Sequence, residues 1–276
     1  MPTARRTTAF AALVAASIAL AACSSPEAPS QEGTDAAPAE SVTVQVAAVM
    51  SPMTDVVQAA AAAAGDGFEI ELVEVGDYVT VNRLLADGEI GANFAQHAPF
   101  MEQFNAGNDA DLTAVQSIYN FTIAFYSKDF ESIEDLPDGA LIGLPNDSSN
   151  LGRALKMLHE AGLVTLDPAV DPYDAATADI VDNPRAFEFL EVEINQLNSA
   201  YEEADLVFQW PSHISALGLN PHDDGLITEL DDRFALQLVV RGEDADTETT
   251  RALIDAFTGD EVRAVIEGND TIEVAF

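Results

Sequence analysis

The sequence predicts an α/β protein of two lobes. Three observations carry this. From residue 42 the chain reads strand, helix, strand, helix; the same alternation resumes at residue 140; and residues 42–276 are long for one core and comfortable for two.

Val42 to Val49 is a buried-strand run. Ser51-Pro52 then offers an N-cap and a first helical residue, Met53 to Ala64 is Ala-rich and helical, and Gly65 closes it. Phe68 to Val75 alternates apolar and acidic residues, the mark of a half-buried strand. Val79 to Ala86 is a short helix ended by Asp87-Gly88, and Glu89 to Asn93 leads into Phe94-Ala95-Gln96-His97. A helix follows from His97 to Asn105, stopping at Gly107, and Leu112 to Tyr126 holds one or two strands. This order argues for a largely parallel sheet. In the second half, Ala140 to Leu144 is a strand, 145–150 a turn, and Leu151 to Ala161 a helix with Leu151, Leu155 and Leu158 on one face. Pro168 to Asp174 reads as loop, Phe189 to Ile194 as strand, Asn198 to Ala204 as helix and Leu206 to Phe208 as strand. Phe234 to Val240 is a last strand, followed by helices over Thr247–Phe257 and Asp260–Ile266.

Ahead of this body lies an export leader. Arg5 and Arg6 precede an almost wholly apolar run, Ala9 to Ala22. That run is too short to span a bilayer, which needs about 20 residues, and suits a signal peptide. It ends in Leu20-Ala21-Ala22-Cys23, which resembles the lipobox of bacterial lipoproteins. Residues 1–22 are therefore expected to be removed and Cys23 to be acylated. Cys23 is the single cysteine, so no internal disulfide forms. Residues 24 to 41, rich in Ser, Pro, Glu and Ala, read with Cys23 as a lipid-anchored linker. As a coil it spans about 25 Å.

The formal net charge is −37. Removing Arg5 and Arg6 leaves 9 basic residues against 48 acidic ones, hence −39. Such a surface repels nucleic acid and anionic headgroups. With 48% hydrophobic residues and clear periodicity, the body is not disordered.

Two features point to a binding site. Arg153 falls in the first turn of the helix beginning near Ser149, where a cation is electrostatically misplaced. A bound anion would account for it, meeting free N–H groups and a bidentate guanidinium. A solvent-facing arginine salt-bridged to a nearby Asp would account for it too, and local sequence alone favours that reading. Tyr78, Phe94, His97, Phe100 and Phe104 form an aromatic cluster, either core packing or one wall of a cleft for an apolar ligand. No nucleophile-elbow, HExxH or EF-hand pattern occurs. His222-Asp223-Asp224 reads as a solvated turn beside Pro221 and Gly225 rather than a metal site. No catalytic residue, cofactor or metal is expected.

Pro145-Asn146-Asp147-Ser148-Ser149-Asn150-Leu151-Gly152-Arg153 resembles the PND-x-x-NLGR motif of the NlpA-type lipoproteins, the methionine-type substrate-binding proteins of ABC transporters. Asp77-Tyr78, Gln96-His97-x-Pro99-Phe100, Tyr126-Ser127-Lys128, Asp182-Asn183-Pro184 and Gly218-Leu219-x-Pro221 resemble further family signatures in the same order. The resemblance implies a type II periplasmic-binding fold with mixed sheets and two hinge crossings, near Tyr126 and near Leu238. The first lobe would comprise 42–125 and 236–276, the second 126–235. It also implies that Arg153 grips a ligand carboxylate, with Tyr78, His97 and Phe100 around the ligand side chain. The candidate ligand-binding set is Arg153, Tyr78, Phe94, His97, Phe100, Asn150 and Trp210.

Three positions depart from the family pattern. Ala95 stands where an aromatic residue is common, with Phe94 one place earlier. Phe100 replaces a usual Tyr. Trp210 falls where the family carries a ligand-contacting Asn, and a Trp accepts no hydrogen bond. Delivery of methionine or a related carboxylate to an ABC permease and ATPase is the function implied. The protein would act as a monomer held on the extracytoplasmic face of the membrane. A different small carboxylate, or an adhesion protein on the same fold, is the alternative.

Overall fold

The structure, a computed structural model, describes residues 41–276. The leader, Cys23 and the linker lie outside the described residues.

The first lobe opens with β1 (Val42–Ala48), α1 (Met53–Ala63), β2 (Phe68–Glu74) and α2 (Tyr78–Ala86). It continues with β3 (Ala92–His97), α3 (Ala98–Asn108) and β4 (Leu112–Phe121). The second lobe holds β5 (Ile123–Tyr126), β6 (Leu141–Pro145), α4 (Ser148–Glu160), β7 (Thr165–Leu166) and β8 (Ile180–Asp182). It is completed by β9 (Glu188–Val192), α5 (Leu197–Glu203), β10 (Leu206–Gln209), α6 (Pro211–Ile214) and β11 (Ile227–Glu229). The chain then returns to the first lobe as β12 (Leu236–Arg241), α7 (Glu248–Phe257), α8 (Asp260–Glu267) and β13 (Ile272–Val274).

The first sheet has the order β13-β4-β12-β3-β1-β2, the second β11-β5-β10-β6-β9. β1 runs parallel to β2 and β3, and β6 parallel to β9 and β10. β12, β13, β5 and β11 are antiparallel to their neighbours. The sheets are therefore mixed rather than largely parallel: helical crossovers make the parallel pairs, and the strands next to the lobe crossings reverse direction.

The crossings fall earlier than the expected Tyr126 and Leu238. β4 ends at Phe121 and β5 already belongs to the second sheet, so the chain changes lobe at Thr122. The return lies within 230–235, between β11 and β12. The mostly apolar run from Ile118 to Tyr126 hides the first break, because residues 118–121 and 123–126 are buried on either side of it.

β3 is not visible as a hydrophobic strand. All six of its residues are buried, yet three are Asn93, Gln96 and His97. The amides satisfy one another inside the lobe. Asn82 Nδ2 donates to Gln96 Oε1 at 2.7 Å, Asn93 Nδ2 to Asn82 Oδ1 at 2.9 Å, and Gln96 Nε2 to Asn93 Oδ1 at 3.1 Å. A satisfied polar network of this kind is compatible with a central strand that no periodicity announces. At the start of α1, Ser51 caps no backbone N–H; its hydroxyl donates to Asp55 at 2.5 Å.

Candidate ligand site between the lobes

A narrow cavity lies between the lobes. The first lobe contributes Tyr78, Ala95, Gln96, His97, Phe100, Tyr119, Phe121 and Leu236; the second contributes Asn150, Ile194 and Trp210. Most of this wall is apolar or aromatic.

Two side-chain hydrogen bonds cross from lobe to lobe here. Tyr78, the first residue of α2, meets His213 Nε2 through its hydroxyl at 2.8 Å. His97 caps α3, its Nδ1 accepting from the Phe100 N–H at 3.2 Å. That fixes the proton on Nε2, which donates to Asn150 Oδ1 at 2.9 Å. Asn150 is set in turn by Asp147, the N-cap of α4, whose Oδ1 accepts from its backbone N–H at 3.0 Å and its Nδ2 at 2.9 Å. Burial pulls both imidazoles down, His97 to about 3 and His213 to about 4. Both are neutral at pH 7.

Arg153 is the largest fully buried side chain. α4 begins at Ser148, so Arg153 sits in its second turn rather than its first. Its Nε donates to Glu229 Oε2 at 2.6 Å, the acid partner that local sequence left open. Its guanidinium packs on the rings of Phe234, at 4.2 Å, and Phe121, at 5.5 Å. The two terminal nitrogens, Nη1 and Nη2, are buried without a hydrogen-bond partner among the described residues. Burial lowers the Arg153 pKa and the Glu229 charge opposes that shift. An arginine stays charged under these conditions. The guanidinium does not itself line the cavity. It lies behind Phe121, which does, and one helical turn beyond Asn150, which also does.

Comparison with known proteins decides the lineage. The family model described as NlpA lipoprotein matches residues 44–274. The chain belongs to the NlpA lipoprotein family. The D-methionine-binding lipoprotein MetQ of Salmonella typhi is 35% identical over 199 residues, covering 71% of this chain and 73% of its own. A nutrient-binding protein from Burkholderia cenocepacia, solved bound to methionine, superposes with a TM-score of 0.80 at 28% identity, covering 84% of this chain and 100% of its own. The periplasmic substrate-binding protein of an ABC transporter from Coxiella burnetii gives a TM-score of 0.79 at 27% identity, with 84% and 100% covered. The two-lobed, mixed-sheet architecture is thus the periplasmic-binding fold.

Within this NlpA-family chain the sequence-named residues do not all meet. Tyr78, His97, Phe100, Asn150 and Trp210 line one cavity, with Arg153 directly behind it. Phe94 does not join them. It is fully buried in the first lobe, edge-on to Tyr119 and Phe257 at 5.5 Å each. Two-residue alternation along β3 sets Phe94 opposite Ala95 and His97, which line the cavity, and β12 skips Ala95, pairing Gln237 with Gln96 and Leu238 with Phe94. Phe94 therefore does not stand in for the aromatic residue missing at position 95. Sequence reasoning missed His213, Glu229, Phe121 and Phe234. Nothing local marks the first two, which act through partners 135 and 76 residues away in the chain. His222 and its neighbours form a turn, with the His222 ring bonded to the Asp270 carbonyl at 2.7 Å and Asp223 and Asp224 accepting from Asn220.

Proposed function

We propose that this chain is an extracytoplasmic solute-binding lipoprotein that delivers an amino acid, methionine or a related carboxylate-bearing ligand, to an ABC importer. One observation carries the reading: a fully buried arginine beside an interlobe cavity keeps two guanidinium nitrogens unpartnered. Unsatisfied buried donors of a charged group are costly, and a carboxylate would pair with both at once. Glu229 holds Nε and so presents the other edge of the fork. Tyr78, His97, Phe100, Asn150 and Trp210 would enclose the ligand body. The protein would do no chemistry. Closure buries the ligand, and the closed monomer docks on a permease driven by an ATPase. The names of relatives that bind methionine support the amino-acid reading of the ligand.

Cys23 would tether the carrier to the membrane and raise its concentration near the permease. Among the described residues no helix is long and apolar enough to cross a membrane. Two experiments test the proposal. Trp210 is the only tryptophan and lines the cavity, edge-on to Phe208 at 5.1 Å. Titrating amino acids and their carboxylate analogues is expected to change its emission saturably; a flat response across the panel contradicts the carrier role. In cell fractions, Cys23→Ser is expected to release the protein from the membrane, and a membrane-bound variant rejects the lipid anchor.

A further inference from the structure

One hydroxyl on the cavity wall stands apart from its neighbours. Tyr119, on β4, is only 2% exposed and faces the cavity. Among the described residues its Oη has no hydrogen-bond partner. The other buried polar side chains of the wall each hold at least one. Tyr78 is paired with His213, His97 with Asn150, and Gln96 with Asn82. Ser212 also brings a hydroxyl, but that residue is only half-buried.

The Tyr119 ring is fixed from several sides. Phe94 lies edge-on to it at 5.5 Å and Phe121 at 6.4 Å. Leu236 is its cross-strand partner on β12, and Ala95 adds only a methyl group to the same wall. The titratable groups that act on the hydroxyl are Tyr78 and Asp55, the latter in the first turn of α1. Arg153 is not among them and lies behind Phe121. The hydroxyl therefore belongs to the part of the cavity away from the guanidinium. Burial pushes the Tyr119 pKa well above its ordinary 10. The phenol stays protonated, so it can donate or accept a hydrogen bond. It offers nothing to balance a full charge, and an ion buried against it unpaired would be costly. Much of the surrounding wall is apolar: Met53, Phe100, Trp210, Leu236 and Ile272.

Resting on the carrier reading, we infer that Tyr119 determines specificity: the amino acid carried has an apolar side-chain stem that ends in one neutral hydrogen-bonding oxygen, and that oxygen pairs with Tyr119 Oη. A wholly apolar side chain would leave the hydroxyl buried and unpaired. Sites built to hydrogen-bond a ligand group discriminate against analogues that lack it. The α-ammonium and α-carboxylate are the same in both kinds of ligand, so Tyr119 selects by side chain alone.

Calorimetry on the full chain in detergent tests this with matched amino acids: norvaline against homoserine, norleucine against its terminal alcohol, and phenylalanine against tyrosine. In at least one pair the hydroxylated member is expected to bind about tenfold more tightly. Tyr119→Phe keeps the ring and its packing, and is expected to bring that ratio down to about one or below. Apolar members binding as tightly as their partners, or more tightly, in every pair overturn the inference and leave the carrier reading standing. A Tyr119→Phe variant of native melting temperature that keeps the native ratio overturns it as well. So does one that weakens both members alike, because the hydroxyl would then serve the shared α-amino-acid group. Should the variant fail to fold, the ratios of the native protein decide alone. Failure of every amino acid to bind removes the carrier reading and the inference together.

Discussion

Arg153 pays for its place with desolvation, and two neighbours make that tolerable: the Glu229 carboxylate on Nε and the Phe234 ring against the guanidinium face. Deleting it would leave Glu229 with only the longer Lys156 contact, so Arg153→Ala is expected to cost about 3 kcal/mol of stability as well as ligand binding. A blunt truncation therefore confounds the two roles, and Arg153→Lys separates them better. His97 and His213 give a second residue-level expectation. Their folded pKa values, about 3 and about 4, lie below the ordinary 6.5. Between these values the unfolded chain binds more protons than the folded one, so their contribution is complete above pH 6.5 and is lost as pH falls. The slope is about 1.4 kcal/mol per pH unit for each. Asp77 and Asp231, lowered from 3.8, add to acid sensitivity only below about pH 4. Melting temperatures from pH 7.5 to 4.5 are expected to fall more steeply for the native protein than for a His97→Gln, His213→Gln variant. Parallel curves would show that neither imidazole is held neutral. The sequence made Arg153, Tyr78 and His97 recognisable through motif and aromatic content. It could not show which atoms of Arg153 remain unpaired, because Glu229 reaches it from another strand.

At the scale of elements, α4 and β3 build the site. α4 brings Asn150 and Arg153 to bear from one helix, and its close seating requires Gly152. A Cβ there would fall on the Tyr173 carbonyl oxygen. Tyr173 also reaches Asp231 in the return crossing, so the contact ties α4 to the hinge. Gly152→Ala is expected to lower stability by about 1–3 kcal/mol, in the range of overpacked cores, and to weaken ligand binding with it. A variant with native melting temperature and native affinity would show that the loop yields without consequence. The leucine face of α4 was plain from its spacing, since Leu151, Leu155 and Leu158 are all buried. β3 was not, because its burial rests on an amide network instead of an apolar run, and its pairing with β12 is broken by a register shift at Ala95. The short strands β7, β8, β11 and β13, of two or three residues each, carry too few side chains to show a period.

Across the whole molecule, two passages of chain join the lobes and side-chain bonds close them: Tyr78 to His213, His97 to Asn150, and, at the far side, His222 to the Asp270 carbonyl. Each bond links residues at least 48 positions apart, which is why lobe order was legible in the sequence and lobe contact was not. The passages at Thr122 and at 230–235 flank the site, with Phe121 and Phe234 on the guanidinium of Arg153. The proposed anion grip would therefore share residues with the passages between the lobes, and its occupation would stabilise closure. The central claim is that the free edge of Arg153 takes the ligand's carboxylate. Thermal unfolding of the native protein and of Arg153→Lys, with and without a saturating carboxylate, tests it most directly. At about 100 times Kd the native protein is expected to gain roughly 5–10 °C, while Arg153→Lys, folded without ligand, gains nothing. An equal gain in Arg153→Lys would contradict the account.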